Sequence, residues 1–262
     1  MYNFMVQAWA TYKGGFYWLH WISYIPNVFI GPAVVVASYA LLGQFAFDAA
    51  AARYYGMGII MAQLTFIIIG GITQTYTRER TMGTISFMYI TPANRLGNFL
   101  SRALLHLPNG VLVYATGMTA LWLLTGIDFS TTNWVALITT VVIAAFSVAA
   151  FSQLLGVFSI VFRDWVQVMV LGTGLLTVFN GIIIPLNSFP GALQGFAHVL
   201  PVTNALEAAR SAIAGGPSAG IYFGVMREGI IAVIFTIIGY TGFVGFEKLV
   251  IKRGTLDRDT TG

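Results

Sequence analysis

Ser218 is the residue whose neighbours most resemble those of a catalytic nucleophile. It lies in Gly216-Pro217-Ser218-Ala219-Gly220, which matches the G-x-S-x-G pattern of a serine held at a tight turn. Such a serine needs a base within hydrogen-bond reach. The topology predicted below puts His106 near the opposite membrane face, and His198 belongs to the same irregular segment as the serine. A turn of Gly, Pro and Ser explains the run more simply, so an intramembrane serine protease is a remote alternative.

Patterns for cofactor chemistry are absent from the sequence. No G-x-x-x-x-G-K-[ST] phosphate loop occurs, so nothing here is predicted to cradle the phosphates of a nucleotide. The cysteine count of 0 excludes disulfides, thiolate metal sites and cysteine nucleophiles. We therefore expect no catalytic, cofactor-binding or metal-binding residue on this chain, and an energy source would have to reside on another polypeptide.

The composition is that of an integral membrane protein. The 262 residues are 57% hydrophobic and 8% charged, whereas soluble domains average about 25% charged residues. The mean hydropathy is +0.80. The net charge of +4 arises from basic residues at the ends of apolar runs, a distribution that sets membrane orientation and does not indicate nucleic-acid binding.

A charged loop at residues 78–102 separates two uncharged runs that are long enough to cross a membrane. The runs contain 24 residues between Arg53 and Arg78 and 25 residues between Arg102 and Asp128. Inside the loop an apolar cluster follows helical spacing up to the Thr91-Pro92 break. We interpret it as a short helix that docks on a partner; the alternative is an interfacial helix in the lipid headgroups.

The run R-E-R-T-M-G-T-I, followed by T-P, an arginine and a further span, resembles the cytoplasmic coupling segment of permease subunits of the type-2 ABC exporter superfamily. That superfamily moves drugs, lipids, peptides and polysaccharides. Ser86 stands where a glutamate is common, so an ion pair there is not implied. The resemblance implies a coupling role, with Phe87 and Met88 as an apolar knob, for these residues: Glu79, Arg80, Gly83, Thr84, Phe87, Met88, Thr91 and Pro92.

A second segment strengthens the resemblance. The runs N-S-F-P-G-A-L-Q and L-P-V-T-N-A-L-E-A-A-R-S-A-I-A-G-G look like the extracytoplasmic segment of the same exporters. This stretch, 185–227, is apolar but broken by prolines, so we expect short re-entrant helices that close the outer mouth. Glu207 and Arg210 are three residues apart and are expected to pair with each other or across a dimer. The predicted gate residues are Phe189, Pro190, Pro201, Glu207 and Arg210.

The sequence thus predicts an all-α integral membrane protein with one permease domain over 1–262. An interfacial helix at 1–21 precedes six transmembrane helices, at about 22–47, 55–76, 103–126, 134–162, 165–184 and 229–246. With both termini in the cytoplasm, ten basic residues lie inside and three, Arg53, Arg210 and Arg227, lie outside. Localisation in the cell membrane as a multi-pass protein follows.

Uncharged polar and aromatic residues on the second and fifth spans are the candidates for a translocation path. They suit an apolar or amphipathic cargo such as a drug, lipid or hydrophobic peptide; the alternative cargo is a polysaccharide or glycolipid. No charged residue is expected inside a span, which disfavours an ion-coupled carrier. The path candidates are Gln63, Thr73, Gln74, Thr177, Phe179 and Asn180.

The resemblance also implies the assembly. The permease would work as a homodimer or heterodimer, in contact with membrane lipid, and bind two copies of a separate ATPase that carries ATP and Mg²⁺. No nucleic-acid partner is expected.

If Phe87 and Met88 enter a cleft of that ATPase, Phe87→Asp or Met88→Asp should release the ATPase or uncouple hydrolysis from transport. The reason is that an unpaired charge in such a cleft costs several kcal/mol. Co-purification of the ATPase and transport in vesicles would measure the effect, with membrane insertion as the control. Unchanged assembly and transport would assign the cluster to the lipid interface.

Overall fold

A computed structural model describes residues 21–82, 95–104, 106–162 and 164–253. Within these ranges the chain is helical and contains no β-strand. A π-helical turn, Pro26–Ile30, joins the first two helices, and a 3₁₀ turn, Leu186–Ser188, follows the seventh. The α-helices are α1 Trp21–Ile25, α2 Gly31–Ala46, α3 Ala49–Thr81, α4 Arg95–Leu104, α5 His106–Thr125, α6 Trp134–Phe162, α7 Trp165–Phe179, α8 Gly191–Ala197, α9 Thr203–Ile213 and α10 Ser218–Arg253.

Five helical stretches are long and apolar enough to span a membrane, which confirms the prediction of an all-α membrane protein. The count of six spans stays a prediction, because α7 is shorter than the other candidates. The predicted interfacial helix at 1–21 lies almost wholly outside the described residues, as does the middle of the coupling loop. The five stretches are Trp21–Ala46, Ala49–Thr81, Arg95–Thr125, Trp134–Ile160 and Ser218–Phe246.

The predicted fifth span, 165–184, is too long. Helix α7 ends at Phe179 and has 15 residues, a length of about 22 Å against about 30 Å of hydrocarbon. Gly181 follows in the left-handed region at φ +72°, which stops the helix. Apolar composition continues past this point, and therefore hydropathy alone did not reveal the break.

The predicted irregular segment, 185–227, also ends too late. Gly215 has φ +69° and Pro217 precedes α10, which already begins at Ser218. Arg227 and Glu228 are therefore inside a helix of 36 residues, although the sequence analysis used them to mark its start. The expectation that no span contains a charged residue is wrong, because Glu228 is fully buried within α10.

Helix α3 is the centre of the bundle. In its most apolar stretch of 18 residues, 78% of the residues are buried, against 17% in the corresponding stretch of α10. It packs against α2, α5, α6 and α7, which is the situation of a helix that is apolar on all sides. We call the end of the bundle where α3 finishes and α4 starts the Arg102 end, and the end where α3 starts the Arg210 end.

Close approach of α3 and α5 depends on glycine. The His106 ring of α5 lies over Gly71 so closely that a Cβ there would collide with it. Gly110 of α5 faces Ile68 in the same way, and small residues are what allow membrane helices to pack this tightly.

We expect Gly71→Ala to destabilise the protein by about 1–3 kcal/mol, because the new methyl group overpacks the contact with His106. Gly174→Ala on α7 is the matched control, since a Cβ there meets no atom within 4 Å. Thermal unfolding in detergent would compare the two. A melting temperature that falls equally in both variants would contradict the close α3–α5 contact.

Candidate functional site

A buried ion pair joins α3 to α4 at the Arg102 end. The Arg102 Nε lies 3.0 Å from both carboxylate oxygens of Glu79, and its Nη2 lies 2.9 Å from Oε2. The Arg102 side chain is 1% exposed and that of Glu79 is 15% exposed. A charge-assisted contact of this kind is among the stronger hydrogen bonds in proteins.

Aromatic rings and an amide surround this ion pair. The Arg102 guanidinium lies 4.7 Å from the centre of the Tyr76 ring and 5.2 Å from that of Phe243 on α10. The Tyr76 hydroxyl donates to Oε1 of Gln153 on α6 at 2.7 Å, and the Gln153 amide donates to the carbonyl of Phe99 on α4. Four helices, α3, α4, α6 and α10, thus meet around one guanidinium.

The two coupling residues that the structure describes are both engaged within the chain. Glu79 bonds Arg102, and Arg80 donates to the carbonyl of Ile160 in the last turn of α6, where a cation is electrostatically favoured. Their contact with an ATPase stays a prediction. The other coupling residues lie outside the described residues: Gly83, Thr84, Phe87, Met88, Thr91 and Pro92.

A second arginine organises the Arg210 end. Arg210 of α9 donates from Nη1 to the carbonyl of Gly181 at 2.9 Å, and from Nη2 to the carbonyls of Tyr54 at 3.0 Å and Ile182 at 3.3 Å. Its guanidinium lies 3.7 Å from the centre of the Tyr54 ring. Burial lowers the pKa of this guanidinium and Tyr54 opposes that shift. Arg210 thereby ties α9 to α3 and to the end of α7.

The predicted pairing of Arg210 with Glu207 is wrong within the described chain. Glu207 is exposed, and no ion pair links it to Arg210. The guanidinium turns instead toward the carbonyls of Gly181 and Ile182, which lie just past the end of α7, where the regular helical hydrogen bonds have ended. Pairing across a dimer stays a prediction.

Asn180 stabilises the turn that ends α7 through two side-chain hydrogen bonds. Its Nδ2 donates to the carbonyl of Pro201 at 2.6 Å, and its Oδ1 accepts from Thr203 at 3.0 Å. Phe179, beside it, packs on Phe189 with ring centres 6.2 Å apart. Two predicted path residues and two predicted gate residues therefore meet in one contact region.

Glu228 is a functional candidate that the sequence analysis missed. Its Oε1 accepts from the backbone N–H of Val202 at 2.6 Å, and its Oε2 accepts from that of Ala205 at 3.2 Å. Val202 has φ +82°, a strained conformation for a branched residue. The carboxylate of α10 therefore caps the start of α9, which lacks a side-chain cap of its own.

The predicted path residues lie on α3 and at the end of α7, and their role in a path stays a prediction. Thr73 is fully buried, donates to the carbonyl of Ile69 and accepts at its own carbonyl from Ser159 of α6. Asn180 is likewise buried, and it forms the hydrogen bonds with Pro201 and Thr203 described above. The remaining four are half-buried, namely Gln63, Gln74, Thr177 and Phe179. Neither of the two cavities described below is lined by any of the six.

Among the described residues, neither His106 nor His198 hydrogen-bonds Ser218. Ser218 begins α10 at the Arg210 end, whereas His106 lies against Gly71 near the other end. His198 exchanges hydrogen bonds with Asn204 instead, with Nδ1 3.2 Å from Oδ1. Within the described chain no group of three or more His, Asp or Glu side chains is placed to hold a metal ion.

An apolar cleft opens between α5 and α6. Its volume is about 520 Å³, within the range of about 300–1,000 Å³ typical of small-molecule sites. Tyr114 and Met118 of α5 and Leu137 of α6 form its buried floor, while Trp122 and Trp134 stand exposed at its rim. The lining suits a hydrophobic molecule.

The sequence model of a protein family described as "ABC-2 type transporter" matches residues 17–214 of this chain, more than half of its length. No curated protein matches the chain. The match covers the first of the two segments on which the resemblance was based, and the second as far as Ala214.

We expect Glu79→Gln to destabilise the protein by about 3–5 kcal/mol, because it leaves the buried Arg102 charge without its carboxylate. The double variant Glu79→Gln/Arg102→Met should lose less than the sum of the two single variants, since both charges are then gone. Thermal unfolding in detergent measures each variant. Strictly additive losses would contradict the pairing.

Proposed function

The chain belongs to the ABC-2 type transporter family and is a permease subunit of an ABC transporter, and from this premise we propose that it exports an apolar or amphipathic substrate. A drug, a lipid or a hydrophobic peptide fits this class. The driving force is ATP hydrolysis on a separate subunit, because this chain has no phosphate loop.

The observation that carries the proposal is the ion pair at the base of the coupling segment. Residues 83–94 leave α3 at Met82 and return to α4 at Arg95. Glu79 and Arg102 clamp these two helices together a few residues from the segment. A partner that pushes on the segment moves α3 and α4 as one body.

The motion also reaches α6 and α10, because both helices are connected to the same ion pair. Tyr76, Gln153 and Phe243 connect those helices to the guanidinium. Helix α3 extends from this ion pair to Tyr54, which contacts Arg210 at the far end, and the 26 residues from Tyr54 to Glu79 span about 37 Å. Rigid-body tilting of a packed helix is a common way to open one side of a transporter and close the other.

The apolar cleft supports the choice of substrate class. Its walls are hydrophobic and its rim is aromatic, which favours a membrane-dissolved cargo over a free sugar or ion. The uncharged character of the predicted path residues agrees with this choice.

The proposed assembly contains two permease chains and two ATPase subunits, with ATP and Mg²⁺ bound to the ATPases. It resides in the cell membrane with both termini of this chain in the cytoplasm. The basic residues at the Arg102 end support that orientation, since Arg78, Arg80, Arg95 and Arg102 all cluster there. The opposite end then faces the exterior.

The experiment compares proteoliposomes that contain this chain alone with proteoliposomes that also contain its co-purified ATPase. We expect no ATP hydrolysis by the chain alone, and ATP-dependent transport of a lipophilic dye such as rhodamine 6G by the complex. A complex whose ATPase carries a glutamine in place of its catalytic glutamate is the control. Intrinsic hydrolysis by the chain alone, or transport only of a lipid-linked oligosaccharide, would contradict the proposal.

A further inference from the structure

The two arginines that hold the ends of α3 differ in what neutralises their charge. Arg102 has the carboxylate of Glu79 at 2.9 Å. Arg210 has no carboxylate within ion-pair distance in the described chain, and it donates hydrogen bonds to the carbonyls of Gly181, Tyr54 and Ile182. Carbonyl dipoles offset part of a buried charge, but a buried cation is ordinarily paired with an anion.

The hydrogen-bonding capacity of Arg210 is also not exhausted. Its Nε is buried and makes no hydrogen bond to any described residue. Buried polar atoms in native proteins nearly always have a partner, and an exception calls for an explanation such as a bound ion.

A cavity of about 360 Å³ lies beside this guanidinium and has a second arginine in its wall. Arg53 of α3 lines it together with Arg210. Arg53 is exposed, and no hydrogen bond or ion pair within the described chain involves it. The other walls are mainly apolar, with Met57 of α3 and Ile213 of α9 among them. The cavity thus combines two cationic groups with hydrophobic surface.

The neighbouring carboxylates are engaged elsewhere. Asp48 caps α3 by accepting from the N–H of Ala51 at 2.7 Å. Asp128, whose electrostatic contact with Arg53 is a minor one, accepts from both the N–H and the hydroxyl of Ser130 at 2.8 Å. Glu207 is exposed and forms no ion pair with Arg210. None of these carboxylates lines the cavity, so its wall holds two cationic groups and no anionic one.

The depth of the cavity matches a lipid headgroup. Helix α3 has 33 residues and is about 50 Å long, whereas the hydrocarbon core is about 30 Å thick. Its terminal turns therefore reach the headgroup region, and Arg53 lies in the second turn. Arginine prefers phosphate and carboxylate oxygens, which it binds through two parallel hydrogen bonds.

We propose that this cavity binds the phosphate of an anionic phospholipid. The phosphate oxygens accept from Arg53 and lie beside the Arg210 guanidinium, and the glycerol and upper acyl carbons lie against Met57 and Ile213. The ligand supplies the counter-charge that no residue of the cavity wall provides, and so stabilises the contact between α9 and α3. This site does not depend on the direction of transport or on the identity of the cargo.

The test is ligand binding to the purified full chain in a neutral detergent, measured by native mass spectrometry with dioctanoyl phosphatidylglycerol as the probe. We expect one molecule to bind per chain. Dioctanoylglycerol, which lacks the phosphate, and inorganic phosphate, which lacks the apolar part, should each bind at least tenfold more weakly. Tight binding of inorganic phosphate would overturn the lipid as the source of the anion.

Two variants and a control locate the site. Arg53→Gln removes one cation at an exposed position and should weaken binding at least fivefold without lowering the melting temperature of the lipid-free chain. Ala50→Phe narrows the cavity without changing its charge and should weaken binding similarly, because Ala50 lines it. Arg227→Gln is the control, since Arg227 is exposed on α10 and stacks on Phe223 away from the cavity.

Unchanged affinity in Arg53→Gln, or an equal loss in Arg53→Gln and Arg227→Gln, would overturn the proposal. The first result would show that Arg53 does not contact the phosphate. The second would show that binding depends on the general positive charge of the surface and not on this cavity. A failure of ATP-dependent transport with intact lipid binding would count against the proposed function and leave this site standing.

Discussion

The ion pair between Glu79 and Arg102 is the interaction on which the Arg102 end of the bundle depends. An arginine that is 1% exposed inside a helical membrane protein needs a carboxylate at hydrogen-bond distance, and Glu79 supplies it. Because the two residues belong to consecutive helices, the pair also fixes how α3 and α4 lie on either side of the coupling segment. The rings of Tyr76 and Phe243 then cover the guanidinium and bring α10 into the same contact.

The Arg210 end is organised by hydrogen bonds between side chains and backbone groups. The carbonyl of Gly181, just past the end of α7, accepts from Arg210 and Tyr54, and the N–H groups at the start of α9 donate to Glu228. Backbone polar groups just past α7 and at the start of α9 are thus satisfied by side chains from other helices, as buried backbone groups in a membrane require. The short helices α8 and α9 are held at this end without crossing the bundle.

Much of the fold was predictable from hydropathy, because the free energy of transferring a helix into lipid is nearly the sum of the contributions of its individual side chains. The long uncharged runs became α3, α5 and α6 close to the expected positions. The errors fell at Asn180 and Glu228, where a polar residue is buried in a specific set of hydrogen bonds. Hydropathy treats such residues as boundaries or as ordinary members of a run, since it has no information about their partners.

The sequence by itself determined that the protein is an α-helical membrane protein of the ABC-2 type transporter family, with no phosphate loop of its own. These properties are local, since composition, spacing and short motifs carry them. The tertiary structure decided which charges are buried and what neutralises them. Arg210 was expected to pair with Glu207 three residues away, but it bonds the carbonyl of Tyr54, 156 residues away in sequence. Such partners depend on how the helices pack, and helix packing is a property of the whole chain.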